Sequence, residues 1–159
     1  MVEANKNLAD LGDDKSIAVF TETSLSFLLS DVARLSRRNM DRRIRPLGLT
    51  QTQWRVLIRL KISPGLRQIE LADLMELQPI SVARLIDRME ASDLVKRHPA
   101  PTDRRAFNLY LTDKAQPMLD RLQVFALETT SEALKDISAE ERKQFFSVLS
   151  KIHANIKEE

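Results

Sequence analysis

Apolar residues recur along most of this chain at three- and four-residue steps, the spacing of amphipathic helices. Leu25, Leu28, Leu29, Val32 and Leu35 open the pattern. A helix starting near Phe20 is predicted to end near Arg45, because Pro46 disfavours helical backbone in the residue before it and Gly48 follows. Thr50 with Gln53 three residues on predicts a capping box. The helix it opens carries Trp54, Leu57, Ile58 and Leu60 and stops before Ser63-Pro64-Gly65. A short helix is predicted from about Gln68 to Met75. After Glu76-Leu77-Gln78, Pro79 suits a first helical position. The helix it begins runs to about Ala91, with Val82, Leu85, Ile86 and Met89 on one face.

The period then changes. Leu94 to His98 and Phe107 to Leu111 are β-prone runs, and the polar, basic stretch from Pro99 to Ala106 reads as a long hairpin loop between them. Thr112 is predicted to cap a helix carrying Ala115, Met118, Leu119 and Leu122 and running to about Asp136. Ser138 and Glu141 form a second capping-box signature before Phe145, Val148, Leu149, Ile152 and Ile156. With three glycines and six prolines in 159 residues, little else interrupts helix. Helix, turn, helix and hairpin within about 60 residues is the layout of a winged helix-turn-helix. The fold class is therefore mainly α with a small β-hairpin wing.

Composition narrows the function classes. The chain lacks cysteine, which removes thiolate metal sites and cysteine redox chemistry. No apolar run approaches the roughly 20 residues of a membrane span, and residues 1–15 hold no signal-peptide stretch, so a cytoplasmic protein with no membrane role is expected. The net charge is only +2 but is unevenly spread. Residues 1–23 are acidic, 24–112 carry the positive excess, and 113–159 are acidic again. His98 and His153 are the two histidines, and neither belongs to a pattern for a metal site or a nucleophile–base pair. Adjacent carboxylates such as Asp13-Asp14 and Glu140-Glu141 point apart on a helix. No cofactor and no catalysis is expected.

In a helix-turn-helix the second helix lies in the major groove with its first turns against base edges. Here that helix starts at Pro79. Ser81, Arg84 and Arg88 fall at i, i+3 and i+7 opposite the apolar face, and Gln78 projects from the turn before it. Gln and Arg make bidentate contacts to adenine and guanine, and Ser bonds bases or phosphate. Such a stripe also suits a solvated helix face. The hairpin alters the weighting, because Asp103-Arg104-Arg105 lies at its tip, bracketed by Lys96, Arg97 and His98. An Arg there can enter the narrow minor groove, and the neighbouring Asp can fix its pose.

Several motifs in order resemble MarR-type regulators over about residues 25–155. Leu94-Val95-Lys96-Arg97, Thr102-Asp103-Arg104-Arg105-Ala106 and Leu109-Tyr110-Leu111-Thr112-Asp113-Lys114-Ala115 are similar to that family's wing, an Asp-x-Arg followed by alternating apolar residues and Leu-Thr. Ile69-Glu70-Leu71-Ala72 and the run from Ser81 to Glu90 resemble its helix-turn-helix, and Leu49-Thr50-Gln51-Thr52-Gln53-Trp54 is similar to SlyA-like members. The turn Leu77-Gln78-Pro79-Ile80 departs from the pattern, since family members often have Ser or Thr as the cap.

The resemblance implies a homodimer on a pseudo-palindromic double-stranded DNA operator, with terminal dimerisation helices over 16–47 and 113–159. It further implies a DNA-binding domain over 48–112, behind a flexible acidic lead over 1–15. Ser81 and Arg84 would meet the major groove and Arg105 the minor groove, with Asp103 orienting it and Arg88 and Arg104 on phosphates; Gln78 and Pro79, at the head of the same helix, are counted with the DNA-binding residues. A repressor released by a small aromatic anionic effector, such as a phenolic acid or aromatic acyl-CoA, is the functional expectation. Thr52 and Trp54 match positions lining the family's pocket, and Arg34, Arg37 and Arg38 lie near it. Trp54 at helical spacing also reads as core, and the arginines as solvated or paired with acids of a partner subunit. A ligand-insensitive regulator and a winged-helix docking module are the alternatives.

Overall fold

The computed structural model describes residues 24–100 and 103–157, with the backbone alone for 103–105. The acidic lead and the predicted helix start near Phe20 lie outside the described residues. Six helices and one hairpin follow in order: α1 (Leu25–Ile44), α2 (Gln51–Ile62), α3 (Gln68–Met75), α4 (Pro79–Ala91), β1 (Val95–Ala100), β2 (Asp103–Leu111), α5 (Gln116–Ala133) and α6 (Ala139–Ile156).

Caps and breakers set the boundaries. Ser24 caps α1 by accepting from the Phe27 N–H. The helix ends one residue before its predicted limit, where Pro46 lies in a short 3-10 turn (Arg45–Leu47) closed by Gly48 at φ +69°. The Thr50–Gln53 and Ser138–Glu141 capping boxes both form as predicted. Between α3 and α4 the chain reverses in three residues. Glu76 adopts φ +56°, a left-handed conformation that costs a non-glycine residue about 1 kcal/mol or more. Its N–H nonetheless closes the end of α3 onto the Ala72 and Asp73 carbonyls.

One core joins α1 through α5 and the hairpin. Leu57, Leu60, Leu71, Met75, Val82, Ile86, Met89, Val95 and Leu109 are fully buried, and Ile44 of α1 and Leu122 of α5 extend the same cluster. α4 contributes Val82, Leu85, Ile86 and Met89, the face predicted from its spacing.

The hairpin differs from the sequence expectation. Both strands run further than predicted, with Val95 opposite Leu111 through Pro99 opposite Phe107, then a break that sets Ala100 opposite Asp103. Of the stretch expected to be loop, Pro99 and Ala100 therefore belong to β1 and 103–106 to β2, with Pro99, Ala100 and Asp103 paired across the hairpin. Proline has no N–H to give a ladder but is tolerated on an edge strand or at a bulge, which is where Pro99 stands. A further pairing was not predicted. The segment before α3 runs along β2, with Gly65 N–H donating to Leu109 O and Leu109 N–H to Leu66 O, each at 2.9 Å.

Two other expectations are corrected. Thr112 makes no side-chain cap; its hydroxyl donates to Asp93 O, and a 3-10 turn (Asp113–Ala115) precedes α5. α5 ends at Ala133, three residues short of the predicted Asp136, which takes φ +62° in the following turn. Among the described residues, no helix is long and apolar enough to cross a membrane.

The terminal helices leave apolar surface open. α6 buries none of its residues, and Phe145, Phe146, Val148 and Ile156 are each half or more exposed. On α1, Leu25, Phe27, Val32 and Leu35 are similarly uncovered, as are Val124 and Leu127 on α5.

Candidate nucleic-acid interface and ligand pocket

The outward face of α4 is built by the packing of its inner face. Burying Val82, Leu85, Ile86 and Met89 obliges Ser81, Arg84 and Arg88 to project away from the core, and all three are exposed. Among the described residues, none of these three side chains forms a hydrogen bond or ion pair. Gln78 occupies the N-cap position without capping, and Pro79 follows at the first helical position. Both are exposed. The structure thus brings Gln78, Pro79, Ser81, Arg84 and Arg88 together on one end and one face of a rigid helix. Among the described residues the two guanidinium groups have no protein partner, which leaves them able to meet an anion or a base edge.

The hairpin's own cations divide. Arg97, grouped with the wing cations by sequence, turns back onto α4. Its guanidinium donates to Asp87 Oδ1 at 2.7 Å and pairs with Glu90, and the Arg97 N–H donates to Glu90 Oε1 at 3.2 Å. Its side chain is only 19% exposed. Arg97 is therefore a strut that fixes the hairpin against the outward helix. Sequence could not assign this role, because the acids it meets lie seven and ten residues away on another element. Lys96 and His98 stay exposed, and His98 packs against the Tyr110 ring at 5.1 Å. The backbone of Asp103, Arg104 and Arg105 belongs to the start of β2, and their side chains lie outside the described residues.

The residues expected around a small-molecule pocket separate as well. Arg37 and Trp54 line one pocket of about 180 Å³ with Met40, Ile58, Ala126 and Thr129, between α1, α2 and α5. Arg34, Arg38 and Thr52 do not line it. Arg34 Nε donates to Asp31 Oδ1 at 2.9 Å on its own helix, Arg38 is exposed, and the Thr52 hydroxyl lies 3.2 Å from that of Thr50. Trp54 is also core, since it is 8% exposed and its indole N–H donates to Asp41 Oδ1 at 2.7 Å. The pocket continues into an apolar groove of about 300 Å³ between α2 and α5, which shares Ile58 and Ala126 with it and is flanked by Lys61.

A polar clamp ties α1 to α5. Arg43 donates to Asn39 Oδ1, Glu128 Oε2 and Glu132 Oε2, at 2.9, 3.0 and 2.5 Å. Asn39 donates to the same Glu132 oxygen at 2.9 Å. The hydrogen bond from Asn39, and then those and the positive charge from Arg43, hold the Glu132 carboxyl below its usual value. Arg43 thus joins α1 to α5 within one chain.

Comparisons with known proteins agree with this architecture. The MarR family model matches residues 49–107, the span from the start of α2 into β2. Transcriptional regulator PA3341 is 33% identical, with 82% of this chain and 96% of that one covered, and superposes with a TM-score of 0.73. A MarR-family transcriptional regulator from Silicibacter pomeroyi is 25% identical, covering 84% and 90% of the two chains at a TM-score of 0.72. A mutant MarR from E. coli complexed with operator DNA shares the fold at a TM-score of 0.67, with 23% identity over 80% of this chain and 92% of that one. The family match across the helix-turn-helix, with a relative of one-third identity over nearly its whole length, shows that this chain belongs to the MarR family of transcriptional regulators.

Proposed function

We propose that this chain is a homodimeric, ligand-responsive repressor that reads a pseudo-palindromic operator in double-stranded DNA. The observation that carries the reading is the unpaired, outward stripe of Ser81, Arg84 and Arg88 on a helix locked between α3 and the hairpin. Arg84 and Ser81 meet base edges in the major groove, with Gln78 and Pro79 at the leading end and Arg88 on a phosphate. Asp103, Arg104 and Arg105 place the wing tip at the adjacent minor groove. That a mutant MarR from E. coli with the same fold is complexed with operator DNA supports the DNA-binding reading.

The uncovered apolar faces of α1, α5 and α6 are the dimerisation surface. An 18-residue helix that buries nothing in its own chain gains its stability from a partner. An anionic aromatic effector enters between α1, α2 and α5, with its carboxylate on Arg37 and its ring beside Trp54 and the apolar groove. Occupancy would separate α1 from α2 and α5 and so change the spacing of the two winged domains.

The test is binding of the purified protein to duplex DNA from upstream of its own gene, followed by fluorescence anisotropy across a salt series. Arg84→Ala is expected to lose roughly 1–3 kcal/mol of operator discrimination, and wild type to weaken steeply with salt. Tight binding indifferent to the substitution would displace the contact set, and no specific binding at low salt would favour a docking module. Aromatic acids and their CoA esters added to the complex are expected to quench Trp54 and release DNA; a panel that does neither leaves a ligand-insensitive regulator.

A further inference from the structure

Ile80 is no part of the buried core. It is the second residue of α4, and its side chain is 62% exposed. At 100° per residue, it lies about 170° around the helix from the centre of the buried face formed by Val82, Leu85, Ile86 and Met89. Arg84 stands one turn further on and about 40° round from it. Pro79, Ser81, Arg84, Asp87, Arg88, Glu90 and Ala91 are the other exposed residues of α4, so Ile80 is its one exposed large hydrophobic side chain. Ile62, Ile69, Leu74 and Phe107 also expose apolar surface, but they stand on α2, α3 and β2. A β-branched side chain in the middle of a polar, outward stripe contributes nothing to the core and is disfavoured by its contact with water.

Resting on the DNA-binding reading above, we propose that Ile80 reads a thymine by burying its 5-methyl group in the major groove. Thymine alone presents an apolar group there, and an isoleucine offers it no competing hydrogen bond. The position supplies a specificity that Ser81 and Arg84 cannot, because hydroxyl and guanidinium groups report donors and acceptors and not methyl groups. Ile80 therefore fixes an A·T pair next to the base pair read by Arg84, with the thymine on the strand facing α4.

Selection of the full-length protein against a randomised duplex pool tests this, followed by substitution of deoxyuridine for the selected thymine. Deoxyuridine removes only the methyl group. Wild type is expected to enrich an A·T pair beside the Arg84 position and to bind the deoxyuridine duplex about fourfold more weakly, the equivalent of ~0.8 kcal/mol. Ile80→Ala is expected to bind thymine and deoxyuridine duplexes equally and to lose the A·T preference at that position alone, and Ile80→Val to keep it. If Ile80→Ala enriches the wild-type sequence and deoxyuridine is neutral throughout, the thymine contact is wrong while DNA reading stands. If wild type enriches no sequence, both fall.

Discussion

Removing the Arg97 guanidinium separates the strut's contribution from that of the surface charges around it. Arg97 is 19% exposed, whereas its partners Asp87 and Glu90 are 64% and 41% exposed. Each pair at a fully exposed site would be worth about 0.2–1 kcal/mol. The shielded guanidinium, gripped by two carboxylates, places the sum near the top of that range for both pairs, about 1–2 kcal/mol. The 3–5 kcal/mol penalty for an orphaned buried charge does not apply, because water reaches both carboxylates once Arg97 is gone. Urea unfolding at fixed protomer concentration, followed by far-UV circular dichroism, is expected to show Arg97→Ala less stable by about 1–2 kcal/mol. Arg97→Lys should recover less than half, since an ammonium cannot fork between two acids. A double-mutant cycle with Glu90→Gln should return a coupling of about 0.5 kcal/mol or more. A loss below about 0.3 kcal/mol would show that the pairs are surface ornaments. One above about 3 kcal/mol would show that the guanidinium has a buried role these distances do not reveal.

Two further outcomes follow from particular contacts. Gly65 sits at φ +84°, and a Cβ there would lie 2.9 Å from the Tyr110 hydroxyl oxygen. Thermal unfolding of Gly65→Ala is expected to show a loss of about 1–2 kcal/mol, and adding Tyr110→Phe should return only the steric part, leaving the left-handed backbone cost. Glu132 has a lowered carboxyl pKa in the folded state, so its contribution is complete above its usual value of 4.5 and is lost as pH falls through the folded value. The melting temperature of wild type should therefore fall more steeply below about pH 4.5 than that of Glu132→Gln. Parallel acid profiles would remove Glu132 from the clamp's energetics.

The helix-turn-helix was legible because its signals are local. Pro79 starts α4, Thr50–Gln53 starts α2, and the repeat of Val82, Leu85, Ile86 and Met89 divides α4 into inner and outer faces. An outer face follows from an inner one by helical geometry alone, so Ser81, Arg84 and Arg88 could be placed by counting. The motif order around the wing likewise identified the family, since those residues are adjacent in sequence.

Tertiary structure decided which cations are free. By sequence Arg97 is a wing cation like its neighbours; it is bound because β1 crosses the acidic Asp87 and Glu90 of α4. Arg43 meets Glu128 from 85 residues away, so no helical spacing announces the pair. Strand pairing past Pro99 and the Gly65–Leu66 addition to β2 depend on hydrogen bonds between distant segments, which periodicity does not encode. Trp54 shows both levels together. Its spacing marked a buried ring, and only the fold put Asp41 beside its N–H and Arg37 across the pocket. Local geometry is written in the order of residues, whereas the pairing of charges and edges is set when the helices pack.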